Sequence, residues 1–229
     1  FKLYRVLKQY RVQKEHTPDF YTALHNTCKE IFPGRVSTVL TTEIAVIYYS
    51  FIHWRKRTQS ENEFSYHKKS GTPTLLYAII FILLTETIIL HIVLQQWNNG
   101  IAWVLSVLGI YTCLQVFALI RSMPKRPVVI IWEAQKLILR YGFFSETTIL
   151  LDSIKRVELS SKPLPNDKSI VPFSPLRSLD SHNVIIHLEK EHILNGLYGI
   201  KKAYKSIAVY VDEKEKFKEA LCNAFDKIV

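Results

Sequence analysis

Two carboxylates and one imidazole lie inside stretches of the sequence that are otherwise apolar. Glu43 falls near the middle of residues 36–54, and Glu86 and His91 fall inside residues 73–95. Placing a charged carboxylate at the centre of a bilayer costs about 2.5 kcal/mol or more, so such residues usually face other helices or a polar cavity. These three residues are therefore the candidates for chemistry within a membrane.

Three roles fit these residues, and the sequence leaves all three open. In the first, protonated Glu43 and Glu86 hold helices together through hydrogen bonds to nearby hydroxyl groups. Those hydroxyl groups belong to Thr41, Thr42, Tyr48 and Thr85. In the second, the two carboxylates and His91 form a pathway for protons or ions.

In the third role the same residues bind a metal ion, with His53 or His67 as further ligands. No HxxxH or ExxH pair supports such a site. His91 also follows Glu86 by five residues, which is about 140° further round a helix, so one helix face is not expected to present both side chains.

Three apolar segments must position these residues. Residues 73–95 and 100–120 are each long enough to cross a bilayer as a helix, and Trp97 and Trp103 are typical of its interface with water. Only residues 96–99 separate the two segments, so a tight turn makes the helices antiparallel neighbours. Residues 36–54 are a third candidate span, although they contain Glu43.

The basic residues predict which side of the membrane each end faces. The turn at 96–99 has no Lys or Arg, whereas basic residues flank the outer ends of the helical pair, so the turn lies outside and the C-terminal part lies in the cytoplasm. The basic residues expected at the membrane surface are Arg55, Lys56, Arg57, Lys68 and Lys69, with Arg121, Lys125 and Arg126 after the last helix. A full third span would place the basic residues 1–35 outside, against the same rule. Either residues 36–54 are re-entrant or packed sideways against the pair, or residues 1–35 are an exception to the charge rule.

Residues 1–35 are predicted to be helical and to lie at the membrane interface. Residues 3–10 alternate apolar and basic side chains at helical spacing, which is typical of a basic amphipathic helix on an anionic surface. A second short helix is expected with Thr17 as its cap and Pro18 at its first position, ending near Pro33.

After Pro124 and Pro127 the periodicity changes from helical to strand-like. Seven short strands are predicted, at residues 128–133, 136–141, 147–151, 155–159, 183–189, 192–198 and 206–211. Residues 160–182 form a loop, and an amphipathic helix with Asp212 as its cap closes the chain. The predicted fold is a membrane α-helical bundle of two to three spans followed by an all-β barrel capped by one α-helix. Its parts are an interfacial segment, a transmembrane region and a soluble domain, at residues 1–35, 36–123 and 124–229.

The soluble part resembles a known fold family. The stretch IIWEAQKLILRYGFFSETTILLDSIKRVEL is similar to the opening strands of bacterial pleckstrin-homology-like (PH-like) domains, and IAVYVDEKEKFKEAL is similar to their last strand and helix. The segment EFSYHKKSG and the span after it resemble a group of poorly characterised bacterial multi-pass membrane proteins. The resemblance implies a PH-like barrel without implying an activity, because one fold hosts many functions.

The phosphoinositide site of eukaryotic PH domains does not carry over to this sequence. That site lies in a basic loop between the first two strands, and the matching turn at residues 133–136 has a single Lys and one Glu. Lys201, Lys202 and Lys205 are instead predicted to form a separate basic loop. Such a loop either faces lipid headgroups, gaining about 1 kcal/mol per residue, or is simply solvated.

Composition and motifs exclude several function classes. The formal net charge of +10 is assigned to membrane topology, because the basic residues are not interleaved with aromatics on one face as in nucleic-acid binding. The three cysteines are widely separated and show no CxxC spacing, so neither a zinc site nor a disulfide framework is indicated. No P-loop, GxSxG or dinucleotide motif occurs, so no cofactor and no catalytic residue is assigned. The balance is against an enzyme, although the question stays open.

These observations predict a bacterial inner-membrane protein of several spans with its PH-like domain in the cytoplasm. We expect it to bind membrane lipids and other protein subunits, as a docking or scaffold subunit. The alternative is a membrane enzyme or an ion or proton transport component that uses Glu43, Glu86 and His91.

Overall fold

The computed structural model describes residues 10, 19–52, 60, 62–165 and 169–226. The helices are α1 (Phe20–Ile31), α2 (Gly34–Ile47), α3 (Thr72–Gln95), α4 (Asn99–Ser122) and α5 (Lys214–Asp226). The amphipathic helix predicted at residues 3–10 lies outside the described residues apart from Tyr10, and so do Arg55, Lys56 and Arg57.

Helix α1 has a different N-terminal cap from the predicted one. The side chain of Asp19 accepts a hydrogen bond from the backbone N–H of Thr22 at 3.0 Å. A carboxylate here also interacts favourably with the positive end of the helix dipole. The cap is therefore Asp19 rather than Thr17, while the predicted end of the helix near Pro33 is confirmed.

Helices α3 and α4 form a hairpin, and each is long enough and apolar enough to cross a membrane. Pro73 lies in the first turn of α3, where a missing N–H has no intrahelical partner to lose. Asn98 caps α4 by accepting a hydrogen bond from the backbone N–H of Ile101 at 3.2 Å. Gly109 allows close packing of the two helices, because a Cβ atom there would collide with the side chain of Thr87.

The apolar side chains of this hairpin mostly face outward. Of the most apolar stretch of α3, 6% is buried inside the protein, and of that of α4, 28% is buried. A core helix of a water-soluble protein would bury such residues, because apolar surface is driven out of water. The hairpin is therefore unlike an ordinary core element.

Helix α2 corresponds to most of the span predicted at residues 36–54, of which residues 53–54 lie outside the described part of the chain. It has 14 residues and continues into one π-helical turn, Tyr48–Ile52. Within the described residues, α3 and α4 are the helices that meet the requirements of a span. The α-helical part rises about 21 Å at about 1.5 Å per residue, and the π-helical turn extends the helical segment to Ile52. The segment packs against α4, where the hydroxyl of Ser50 in the π-helical turn lies 3.5 Å from the carbonyl oxygen of Leu114.

The strands form one mixed sheet. They are β1 (Glu63–Phe64), β2 (Val128–Ile131), β3 (Lys136–Tyr141), β4 (Ser145–Leu150), β5 (Ile154–Leu159), β6 (Val171–Pro172), β7 (Val184–Asn195) and β8 (Lys201–Val209). Their order is β1-β2-β3-β4-β7-β8-β6, and β5 also pairs with β7. Strands β6 and β8 are parallel, and the other pairs are antiparallel. Helix α5 closes the core with the buried side chains of Phe217 and Leu221.

The second half of the sheet differs from the prediction. The strands predicted at 183–189 and 192–198 are one strand, β7, whose register with β8 shifts between His187 and His192. Lys201, Lys202 and Lys205 lie on β8 rather than in a loop. Strand pairing tolerates these lysines because β7 provides the hydrogen bonds while their side chains stay exposed.

The described strands form an open sheet where the sequence predicts a closed barrel, with β1 and β6 at its two ends. A loop contact bridges part of the opening between the two ends of the sheet. In this contact the backbone N–H of Asp212 donates to the carbonyl of Ser65 at 2.9 Å. The carboxylate of Asp212 accepts hydrogen bonds from the backbone N–H groups of Lys68 and Lys69 at 3.1 and 2.7 Å. Asp212 thus connects the end of β8 to the segment before the hairpin.

The sheet begins before the hairpin, although the soluble domain was predicted to start at residue 124. In β1, Glu63 pairs with Val129 and Phe64 pairs with Val128 of β2. The helical hairpin is therefore an insertion between β1 and β2. Both of its ends are attached to the sheet, and a single hydrophobic core contains residues of the helices and of the strands.

Candidate functional site

Arg126 lies where the hairpin, helix α1 and the sheet meet, and it is fully buried. Its Nε donates to the two carboxylate oxygens of Asp19 at 3.1 and 3.0 Å, and its Nη1 donates to the carbonyl of Gly142 at 2.7 Å. Its Nη2 donates to the carboxylate of Glu146. The guanidinium also lies 4.6 Å from the centroid of the Tyr21 ring, a cation–π contact. We call Asp19, Arg126, Gly142 and Glu146 the Arg126 junction.

Charge in the Arg126 junction is compensated locally. Burial alone would raise the pKa of Asp19, but the charges of Arg126 and Arg140 and hydrogen bonds from Arg126 and Thr22 outweigh burial and lower this pKa to about 2. Burial alone would lower the pKa of Arg126, but Asp19 and Glu146 raise it above its ordinary value. The groups around Arg126 engage all of its nitrogen atoms, so the junction holds elements together rather than binding a ligand.

A second polar cluster joins α2, α4 and the turn between β7 and β8. The carboxylate of Glu43 accepts hydrogen bonds from the hydroxyl of Tyr111 and, at 3.1 Å, from that of Tyr198. Gln115 Nε2 donates to the Tyr198 hydroxyl at 2.9 Å. Burial, together with the hydrogen bond to Glu43, raises the pKa of Tyr198 to about 12, so its hydroxyl remains a donor at neutral pH. We call Glu43, Tyr111, Gln115 and Tyr198 the tyrosine cluster.

The backbone of Tyr198 is strained. Its φ of 54° lies in the left-handed region, which costs a residue with a Cβ atom roughly 1–2 kcal/mol. Such strain persists where surrounding contacts determine the conformation. Here those contacts come from the helices, since Glu43 and Gln115 bond the Tyr198 hydroxyl, and a Cβ atom on Gly199 would lie 3.6 Å from the side chain of Thr38.

A cavity of about 240 Å³ lies between α3 and α4 and is lined by both Glu86 and His91. The polar side chains that share its lining are Thr87, Ser106 and Thr112. His91 Nδ1 lies 2.7 Å from the hydroxyl of Ser106, and its ring packs edge-on against Trp103 with centroids 5.1 Å apart. We call this cavity the hairpin groove.

The shared lining corrects the expectation that Glu86 and His91 face different neighbours. A groove between two helices is wide enough to receive side chains from both flanks of one helix face, so an angle of about 140° does not separate them. Glu86 is exposed, and it makes no hydrogen bond or ion pair with another side chain that the structure describes.

Thr42 and Thr85 do not bond the carboxylates as the first hypothesis required. Thr42 donates to the carbonyl of Thr38 at 2.9 Å, and Thr85 donates to the carbonyl of Phe81 at 2.9 Å. Each hydroxyl is thus satisfied by the backbone of its own helix. The partners of Glu43 are phenols from other elements.

The structure separates Glu43 from the other two candidates. Glu43 belongs to the tyrosine cluster, whereas Glu86 and His91 line the hairpin groove. Across the described ranges no group of three or more His, Cys, Asp or Glu side chains is placed to hold a metal ion. The hypothesis of a metal site formed by Glu43, Glu86 and His91 therefore gains no support from the geometry.

The basic candidates lie on two parts of the surface. Lys68 and Lys69 are exposed in the segment before α3, at the base of the hairpin. Lys201, Lys202 and Lys205 are exposed along β8, next to the turn that carries Tyr198.

Sequence reasoning missed the role of Arg126 and the phenols of the tyrosine cluster. Arg126 was grouped with surface residues, and its partner Asp19 is 107 positions away, so no local pattern links them. Tyr111 and Gln115 did leave a signal, because two polar residues four apart in an apolar segment share a helix face.

No protein-family model, curated protein or solved structure matches this chain, so its function is inferred from the arrangement of these residues.

Proposed function

We propose that this chain is a membrane-anchored docking or scaffold subunit. The hairpin of α3 and α4 crosses the bilayer, and the sheet domain lies against one surface, where it binds other proteins. The observation that carries the proposal is the outward exposure of the hairpin's apolar side chains. Exposed apolar surface costs about 25 cal/mol per Å² in water, and lipid removes that cost, while a helix satisfies its own backbone groups within the bilayer.

The attachment of the sheet to the hairpin supports a docking role. Both ends of the hairpin enter the sheet, and Arg126, at the end of α4, bonds residues of α1's cap and of β4. A domain attached in this way holds a fixed orientation to the membrane. Partners would therefore meet the same face of the sheet each time.

The distribution of charge supports a cytoplasmic sheet domain in a bacterial inner membrane. Lys68, Lys69 and Arg121 lie at the base of the hairpin, whereas the turn between α3 and α4 contains no Lys or Arg. Positive residues favour the cytoplasmic side. The resemblance to bacterial PH-like domains, with a sheet followed by a C-terminal helix, is compatible with this placement.

The outer face of the sheet offers a surface for a protein partner. Leu150 of β4 and Ile193 of β7 are 44% and 53% exposed. Glu146 pairs with Asn195 across these neighbouring strands, and alternation along each strand then places Leu150 and Ile193 on the same face. Exposed aliphatic side chains on adjacent strands are compatible with the apolar centre of a contact between subunits.

Extraction of membranes with alkaline carbonate tests the anchor. The full chain should stay in the membrane pellet and should require detergent for release, because lipid surrounds α3 and α4. A variant with Ile88→Asp and Ile89→Asp should lose this resistance. Release of the unaltered chain by carbonate alone would overturn the membrane proposal.

Site-specific photo-crosslinking tests the docking surface. A photoreactive residue placed at Ile193 in the full chain, expressed in its source cells, should give one discrete adduct. The matched control is Lys155, an exposed residue of β5. Adducts at both positions, or at neither, would contradict a docking surface at Ile193.

A second candidate function is a proton or ion pathway. The specific observation in its favour is the hairpin groove, where Glu86 and His91 share one cavity with three hydroxyl side chains. Ionisable side chains within a membrane are typical of such pathways. Glu43 lies outside this cavity and is not part of the candidate pathway.

Proteoliposomes that contain a pH-sensitive dye distinguish the two functions. Under the docking proposal, the unaltered chain and Glu86→Gln should leave the proton permeability of the vesicles unchanged. Proton movement with the unaltered chain that is lost with Glu86→Gln would favour the pathway.

A further inference from the structure

The free part of the hairpin is shorter than a bilayer is thick. Ile79 and Ile80 of α3 pack against the core, and α4 is buried or half-buried from Cys113 to Ile120. The free part thus comprises residues 81–95 and 99–112, which rise about 23 and 21 Å at about 1.5 Å per residue. The hydrocarbon interior is about 30 Å thick. If the hairpin crosses it, some of the adjoining protein must also lie in hydrocarbon.

Helix α2 adjoins the base of the hairpin, and its faces are reversed relative to a helix in water. Its outward side chains are aliphatic, while its inward side chains include several hydroxyls. The exposed residues are Val36, Val39, Ile44 and Ile47, and the buried ones include Ser37, Thr41, Thr42 and Ala45. Ser37, Thr41 and Thr42 donate to carbonyls of their own helix, so they need no water. This pattern fits a helix whose outer face meets lipid.

The turn between β7 and β8 lies beside α2 and shares its character. Ile200 is 69% exposed at the tip of this turn. Its neighbour Gly199 lies against Thr38 of α2, and Tyr198 bonds Glu43. The tip of the sheet and the outer face of α2 therefore form one continuous surface.

The tyrosine cluster indicates how deep this surface lies. Tyr111 follows Asn99, the first residue of α4, by twelve positions, which is about 18 Å along the helix. Trp97 is exposed beside that end, as at a lipid–water interface. In a hydrocarbon layer of about 30 Å, the level of Tyr111 is then about 12 Å from the opposite boundary. Helix α2 and the turn reach this level through Glu43 and Tyr198.

We propose that α2 and the β7–β8 turn are immersed in the cytoplasmic leaflet and bind acyl chains there. We call this surface, made of Val36, Val39, Ile44, Ile47 and Ile200, the leaflet collar. The proposal rests on the membrane placement proposed above and adds a monotopic contact to the crossing hairpin. Interfacial helices commonly reach about 5–10 Å into the acyl region, close to the depth deduced from Tyr111.

Charged groups around the leaflet collar fit this placement. Arg35, Lys201 and Lys202 are exposed at its edge, and long basic side chains reach headgroups while their stems cover apolar surface. Glu43, the one carboxylate on α2, is not left to face lipid, because two phenols donate to it. A pair of donors is what an immersed carboxylate needs.

Fluorescent labels quenched by brominated lipids test the proposal in the full chain reconstituted in vesicles. Single cysteines replace Ile47, Ile200, Ile88 and Lys155 in a background with Cys28, Cys113 and Cys222 changed to Ala. Labels at Ile47 and Ile200 should lose fluorescence most strongly with lipids brominated near the headgroup. The label at Ile88 should respond most to bromine deep in the chains, and the label at Lys155 should respond to aqueous iodide alone.

The outcomes separate the two proposals. Lipid quenching at Ile88 with iodide quenching at Ile47 and Ile200 would overturn the leaflet collar and leave the hairpin in the membrane. Iodide quenching at Ile88 would overturn both. Protection of Ile47 and Ile200 from both quenchers would mean that protein covers the surface, which also overturns the collar.

A second measurement needs no substitution. A photoreactive acyl-chain lipid added to the unaltered chain should label peptides that contain residues 36–47 and 197–200 as well as the hairpin. Labelling confined to the hairpin would overturn the leaflet collar.

Discussion

The Arg126 junction and the hairpin groove both place ionisable side chains next to apolar ones, but their surroundings differ. Arg126 is buried, and two carboxylates, a carbonyl and an aromatic ring compensate its charge. Glu86 is exposed in a groove that is lined by leucines, His91 and three hydroxyl side chains, and it has no charged partner among the residues described. A compensated charge is part of the architecture, whereas an uncompensated carboxylate is costly to place in hydrocarbon.

Arg126→Met should lower the free energy of unfolding more than any other substitution in these two regions. The substitution leaves Asp19 and Glu146 without their counter-charge, and breaking a buried pair in this way costs about 3–5 kcal/mol of unfolding free energy. Thermal unfolding in detergent measures the loss. The matched control is Arg156→Met, since the ion pair of Arg156 and Glu158 is exposed and is worth about 0–1 kcal/mol. Equal effects of the two substitutions would show that the Arg126 junction is not a structural centre.

Glu86→Leu and Glu146→Leu should act in opposite directions. Glu86→Leu removes an exposed carboxylate from the hairpin and should favour membrane insertion by about 2.5 kcal/mol. Glu146→Leu removes a partner of Arg126 and should destabilise the fold. Insertion efficiency of the hairpin measures the first, and thermal unfolding measures the second. A loss of insertion with Glu86→Leu would mean that the carboxylate already has a partner.

Acid should weaken the Arg126 junction through Asp19. Its pKa falls from 3.8 to about 2 on folding, so its contribution to stability is complete above pH 3.8 and disappears as the pH falls through about 2. A shift of this size corresponds to roughly 2 kcal/mol of unfolding free energy. Unfolding of the unaltered chain and of Asp19→Asn, compared from neutral pH downward, measures this contribution. A stability difference that stays constant between about pH 4 and pH 2 would contradict it.

Tyr198→Phe should have the smallest effect on stability. It tests the tyrosine cluster, whose side chains are half-buried, whereas Arg126 is buried and Glu86 is exposed. It removes one hydrogen bond to Glu43 and one from Gln115, and at these half-buried positions each is worth about 0.5 kcal/mol. A double-mutant cycle with Glu43→Leu, which removes the acceptor, measures the coupling by thermal unfolding. Tyr77→Phe, at an exposed position of α3, serves as the control. Absence of coupling would mean that the turn is not held by Glu43.

The sequence predicted those features that depend on local pattern. The helices expected at 73–95 and 100–120 appear at Thr72–Gln95 and Asn99–Ser122, because a long apolar run is its own signal. The first four strands after the hairpin also lie within a few residues of their expected positions. Strand β7 was divided in two, since the charged residues Lys190 and Glu191 interrupt its alternation.

Features that depend on distant pairing were not predictable from one sequence. Strand β1 has two residues and gains its identity only by pairing with β2 across the hairpin. Asp19 and Arg126 are likewise joined by the fold alone. Glu86 and His91 were singled out from the sequence, but their common groove is formed with a neighbouring helix whose rotation no periodicity reveals.

The pairing of β1 with β2 limits the number of times that the chain can cross a membrane between these two strands. These strands lie side by side although 64 positions separate Phe64 from its partner Val128. A polypeptide that leaves one compartment after β1 must therefore return to it before β2, so any crossings in between must be even in number. If only one of the two helices crossed the lipid, β1 and β2 would lie on opposite sides of the membrane and the sheet would lack its edge strand. Under the proposed membrane placement, the sheet can therefore be complete only when both helices have entered the lipid.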